Sequence, residues 1–152
     1  MDGLSTDQLV PTLQTAIGPV ILISGVGLLL LSMTNRLGRI IDRSRTLAGE
    51  LGDSTETRQV HIQSQLQVLW TRGKLIRMAI SLCSVSVLCA AVLIIVIFFT
   101  ALWNLDLAWL IATLFVVAMV SLTFSLIAFI DDIYKSLAAL KLELIADNAQ
   151  IE

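Results

Sequence analysis

The chain is poor in the side chains from which most active sites are built. Its 152 residues include one histidine, two cysteines and one tyrosine, and only 14% are charged. A lone His61 cannot form a multi-histidine metal centre, and at its place on the polar side of a helix it reads as a solvated surface residue. Cys83 and Cys89 are six residues apart, which sets them about 120° apart on a helix, so they neither bridge nor make a ligand pair. They read as small packing residues. The stretch Ser24–Gly27 lacks the length and the lysine of a phosphate cradle, and no nucleophile has a partner. The chain is therefore expected not to be an enzyme, with no catalytic residue, metal or cofactor.

Two further absences bear on where the chain resides. The apolar stretches show no alternation of polar and apolar residues, which excludes the strands of an outer-membrane barrel. The N-terminal segment has no basic residue before its apolar run and no small-x-small cleavage pattern after it, so it is expected to stay as an anchor rather than be removed as a secretion signal.

What the chain does have is hydrocarbon. Hydrophobic residues make up 57% of it and its mean hydropathy is +0.88, more apolar than a soluble domain of this size can hide. No charge occurs between Asp7 and Arg36, between Arg77 and Asp106, or between Asp106 and Asp131, and the shortest of these gaps, 107–130, holds 24 residues. At about 1.5 Å per residue each gap crosses a hydrocarbon core of ~30 Å as a helix. The reading is an all-α membrane protein of one domain with spans at about 17–34, 76–102 and 107–130. Trp103 and Trp109 flank the turn between the last two spans, as aromatic rings do at the headgroup level.

Between the first two spans, residues 35–75 carry apolar residues at helical spacing on both sides of a break. Leu37, Ile40, Ile41, Leu47, Ala48 and Leu51 precede it, and Ile62, Leu66, Leu69, Gly73 and Ile76 follow it. Gly49 and Gly52 loosen the first helix end, and Asp53 with Glu56 has the form of a capping box for the second helix. An antiparallel hairpin, continuous with both spans, is expected. A short amphipathic helix lying at the outer surface is expected over about Ser5–Ile17, leading into span one, with Pro11 tolerable only in its first turn. The tail 131–152 is expected to form a further helix with an apolar face at Ile133, Leu137, Leu140 and Leu144.

Orientation follows from the basic residues. Arg36, Arg39, Arg43, Arg45, Arg58, Arg72, Lys74 and Arg77 all lie between spans one and two, and Lys135 and Lys141 follow span three. The positive-inside rule then places the hairpin and the tail in the cytoplasm and the N-terminus outside.

Two faces and a charge cluster are the candidate functional features. Gly18, Gly25 and Ser32 recur every seven residues on the first helix and run toward Arg36, Arg39 and Arg43. Small residues at that spacing let another helix approach closely. Thr113, Val117, Ser121, Ser125, Ala128 and Asp132 form a small and hydroxyl face on the third helix. Both faces end at the inner boundary, where Arg36 or Arg39 with Asp131 or Asp132, and Asp42 with Arg39 or Arg45, are expected to pair and fix how the helices dock. A second reading takes Thr113, Ser121, Ser125 and the Gly18 face as the lining of a pore in an oligomer, with charges at its inner mouth. A third has the arginines hold anionic lipid headgroups.

The block Asn35, Arg36, Leu37, Arg39, Asp42 and Arg43 has the form N-R-L-x-R-x-x-D-R. With the span before it and the layout after it, over about residues 10–140, it resembles an uncharacterised family of small bacterial membrane proteins, a domain of unknown function. The resemblance implies a bacterial inner membrane and three spans, and brings no activity. The expected function is a non-enzymatic homo-oligomer in the bilayer with an ion-permeation role. The alternative is a scaffold or regulatory protein acting through its hairpin. No nucleic-acid partner is expected. A cytoplasm-dependent reporter fused after Glu152 should be active, and activity only for a reporter that works outside the membrane would overturn the orientation.

Overall fold

Helix runs through both limits of the expected hairpin without a break. The computed structural model describes residues 6–52, 56–103 and 106–148, which form α1 (Thr6–Glu50), α2 (Glu56–Trp103) and α3 (Ala108–Asn148). Each contains a stretch long and apolar enough to span a membrane: Leu13–Glu50, Arg58–Trp103 and Ala108–Ser136. Only 17%, 22% and 17% of the most apolar window in these stretches is buried within the chain. The remaining apolar surface, including Ile21, Leu28, Leu88 and Phe124, therefore requires a hydrocarbon solvent.

The outer segment expected as a short surface helix leading into span one is, from Thr6 onward, part of α1. Pro11 and Pro19 both lie inside α1, each at the loss of one backbone hydrogen bond. Their neighbours continue the ladder on both sides, as prolines in membrane helices allow. The Asp53–Glu56 capping pair, and the tail stripe from Leu137 onward, lie outside the residues whose side chains are described.

The chain folds as two compact units, Met1–Ser32 with Ser81–Phe124, and Met33–Ile80 with Ser125–Glu152. In the first, the buried residues are Ala16 and Val26 of α1, Cys83, Ser86, Ala90 and Leu93 of α2, and Ala118 and Leu122 of α3. The α2 residues alternate by three and four, the spacing of a coiled-coil seam. Three of them are small, so neighbouring backbones come close where no hydrophobic drive from water exists. Near the end of α2 the rings of Phe99 and Trp103 stack at 4.6 Å.

In the second unit the seam is Met33, Ile40 and Leu47 of α1, Ile62, Ile76 and Ala79 of α2, and Ser125, Ala128 and Asp132 of α3. The α1 positions repeat every seven residues, the period that keeps one stripe on a partner as helices wind around each other to the left. The two arms of α1 and α2 run antiparallel. Near the turn Arg58 pairs with Glu50 at 3.2 Å and the Gln59 amide donates to the Leu51 carbonyl at 3.3 Å. Farther along, Ile40 faces Gly73. The Arg58–Glu50 pair is exposed on both sides and contributes little.

Gly73 lies where the two arms meet. A Cβ built there would lie 3.6 Å from Ile40 Cγ2, an ordinary contact. Gly73→Ala should therefore be accommodated and should gain up to about 1 kcal/mol of helix propensity. Gly73→Leu has no such room against Ile40 and should cost about 1–3 kcal/mol through overpacking. Thermal unfolding of the two variants in one detergent checks this, and equal melting temperatures would show that the arms are not in contact there.

Candidate functional site

The most constrained polar group in the described structure is a carboxylate. Asp132 occupies the α3 seam seven residues after Ser125, and its side chain has no solvent exposure. A buried ionised carboxylate is costly unless countered, and two guanidinium groups meet it. Arg36 Nη2 of α1 lies 3.3 Å from Asp132 Oδ2, and Arg72 Nε of α2 lies 3.5 Å from Oδ1. The arginine side chains are 21% and 18% exposed. Each of the three helices contributes one charge.

The contacts are ionic rather than closely hydrogen-bonded, since neither Asp132 oxygen nor Arg72 Nε has a hydrogen-bond partner among the described residues. Arg36 has a second contact: its Cζ sits 5.5 Å from the centre of the Phe129 ring, within range of a cation–π attraction. That contact matters because two positive charges facing one negative leave an excess of +1. Two turns before Asp132, the Ser125 hydroxyl donates to the Ala79 carbonyl at 2.7 Å with both groups buried. Ser125 and Asp132 thus fasten the same face of α3.

Arg36 and Asp132 are brought together from the candidate charges, and the others lie elsewhere. Asp131 does not meet an arginine. It is one residue, about 100°, around α3 from Asp132, and it pairs on the surface with Lys135 one turn on, at 2.7 Å. Arg39, Asp42 and Arg43 are exposed and form no ion pair among the described residues, so the expected pairing of Asp42 with Arg39 or Arg45 is absent. The α1 face that packs inside the chain runs through Val26 and Met33, one residue around from Gly25 and Ser32. Gly18, Gly25 and Ser32 are consequently exposed, and a Cβ at either glycine would meet nothing within 4 Å. On α3, Thr113 is exposed and donates back to the Trp109 carbonyl at 2.8 Å, while Ser121 is half-buried.

Arg72 is the residue that reading each helix by itself missed. Its signal is positional: it lies three residues after Leu69 and four before Ile76, a seam position between two apolar ones. Arg36 lies in the same way between Met33 and Ile40. A charge at a seam position calls for an opposite charge across it. His61 is exposed, with Nε2 3.1 Å from the Gln65 amide. Among the described residues, no group of three His, Cys, Asp or Glu side chains stands together.

Three helices able to cross a bilayer, joined at one level by a buried charge triad, define an α-helical multi-pass membrane protein. The chain belongs to the DUF2721 family, described as proteins of unknown function, whose pattern matches residues 16–142. No curated protein and no solved structure matches it.

If the triad is a clamp, Asp132→Asn should destabilise strongly, by about 3–5 kcal/mol, because two arginines then face each other without a counter-charge. Replacing all three together, Arg36→Met with Arg72→Leu and Asp132→Leu, should restore a melting temperature near the parent's or above it. An Asp132→Asn protein that melts with the parent would exclude the clamp.

Proposed function

We propose that this protein is a non-enzymatic, self-associating component of the bacterial inner membrane, with its N-terminus outside and its hairpin and tail in the cytoplasm. It acts by presenting a rigid cytoplasmic helical hairpin to a partner. The observation that carries this reading is the complete burial of Asp132 against Arg36 and Arg72. A charge on each helix is committed to holding the base of the hairpin in one arrangement, which suits a platform better than a moving part. The basic residues confined to residues 36–77 and to the tail support the orientation. The open Gly18, Gly25 and Ser32 face supports self-association, since a second helix can approach closely along it.

The ion-permeation reading keeps a narrower basis. Ser125 and Asp132 make contacts inside one chain, so a pore would have to run between copies, along Thr113 and the glycine face of α1. That reading is the alternative.

A photo-crosslinker placed at Val60, 68% exposed on the α2 arm, separates the two when combined with ion flux. The platform reading expects one reproducible heterologous partner in cells and liposome flux equal to empty vesicles. Capture of only the protein's own subunits, together with flux that Thr113→Leu abolishes, would replace it with the channel.

A further inference from the structure

Between the two arms of the second unit lies an open groove of about 690 Å³, within the size range of small-ligand sites. Its lining is largely apolar, with Leu37, Ile40 and Ile41 of α1 and Leu66, Leu69 and Trp70 of α2. Trp70 is 73% exposed. Among the described residues, the charged ones that line it are Arg45, Lys74 and Arg77, with no carboxylate. No described residue of α3 lines it.

The place of this groove along the helices is informative. It opens at Leu37 and Arg77, one or two residues beyond the points where the charge-free runs of α1 and α2 end, which is the level of the lipid headgroups. Lys74 and Arg77 lie within about a turn of that level, where basic side chains settle, and Trp70 lies about 12 Å beyond the end of the run in α2. A largely apolar lining whose described charged residues are all cationic matches one kind of molecule present there at high concentration, an anionic phospholipid. Its phosphate would meet the cations, and the beginning of its chains would cover the apolar side chains. A second hairpin packed groove to groove would instead bring two sets of like charges together.

We propose that this groove is a binding site for an anionic phospholipid, with Arg45, Lys74 and Arg77 as the headgroup contacts and Leu37, Ile41 and Trp70 as the apolar contacts. It is a different place from the Arg36–Arg72–Asp132 triad, whose charges already face one another. It is also different from Arg39 and Arg43, which do not line the groove. The inference rests on the proposed placement of the charged ends at the inner headgroup layer. Its test, read on purified protein, is independent of partner capture and ion flux.

The full chain in a mild non-ionic detergent is mixed with phosphatidylglycerol, with phosphatidylcholine of the same acyl chains, or with inorganic phosphate. Bound lipid is counted by native mass spectrometry, and the melting temperature is followed in parallel. Phosphatidylglycerol should be retained and should raise the melting temperature, whereas phosphatidylcholine and phosphate should not. The triple variant Arg45→Gln, Lys74→Gln, Arg77→Gln should lower phosphatidylglycerol retention by about tenfold or more, with its lipid-free melting temperature near the parent's. Ser44→Trp, which fills the groove with the cations intact, should also lower it, and Arg39→Gln with Arg43→Gln should leave it unchanged. Equal retention of the two lipids, retention unaffected by the triple variant, loss confined to the Arg39 and Arg43 variant, or a crosslink from position 70 to the tail of a second copy would each overturn the proposal.

Discussion

A carboxylate that no water reaches governs the architecture of the second unit. Asp132 must be met by positive charge, and the chain meets it from both other helices, with Arg36 on α1 and Arg72 on α2. Hydrocarbon packing alone specifies rotation and register poorly, because one leucine-sized contact resembles the next. One anion between two cations has a single arrangement of low energy, and displacing any helix by a turn leaves a buried charge without its partner. The triad thereby fixes rotation and axial position for all three helices at one level.

The rest of the unit is consistent with that constraint. Seam positions recur every seven residues on α1, from Met33 through Ile40 to Leu47, and on α3 from Ser125 to Asp132. The charges fall on the same seams as the apolar side chains. Ser125 donates to the Ala79 carbonyl two turns from Asp132 and fastens the same face. Gly73 of the α2 arm lies against Ile40. Arg39, Asp42 and Arg43 are left outside these contacts and exposed, so the arginine-rich block has two parts. Arg36 is structural, and the arginines beyond it face outward.

Much of this was legible in the residues themselves. The charge-free runs announced three helices. The lack of a proline or a glycine pair between Leu28 and Gly49 announced that the first span continues into the hairpin arm, as α1 does. That an arginine of the first helix, Arg36 or Arg39, would lie near Asp131 or Asp132 was expected from both runs ending at about the same depth, and the structure pairs Arg36 with Asp132. What was not legible is which side of each helix faces its neighbours. A one-residue difference separates Gly25 from Val26 and Asp131 from Asp132, and it turns a side chain about 100°, enough to move it from the seam to the surface. Composition cannot make that choice. The seven-residue repeat can, and it also points to Arg72, whose only mark in the sequence is a charge between Leu69 and Ile76.

Energetic coupling of Asp132 to arginines on two different helices is the property on which this architecture stands. A double-mutant cycle tests it most directly: unfolding free energies of Asp132→Asn, Arg72→Gln and the double variant, repeated with Arg36→Gln in place of Arg72→Gln. A coupling of at least about 1 kcal/mol is expected in both cycles, with each double variant less destabilised than the sum of its singles. Additive effects in both cycles would contradict it, since the three charges would then be neighbours without being partners.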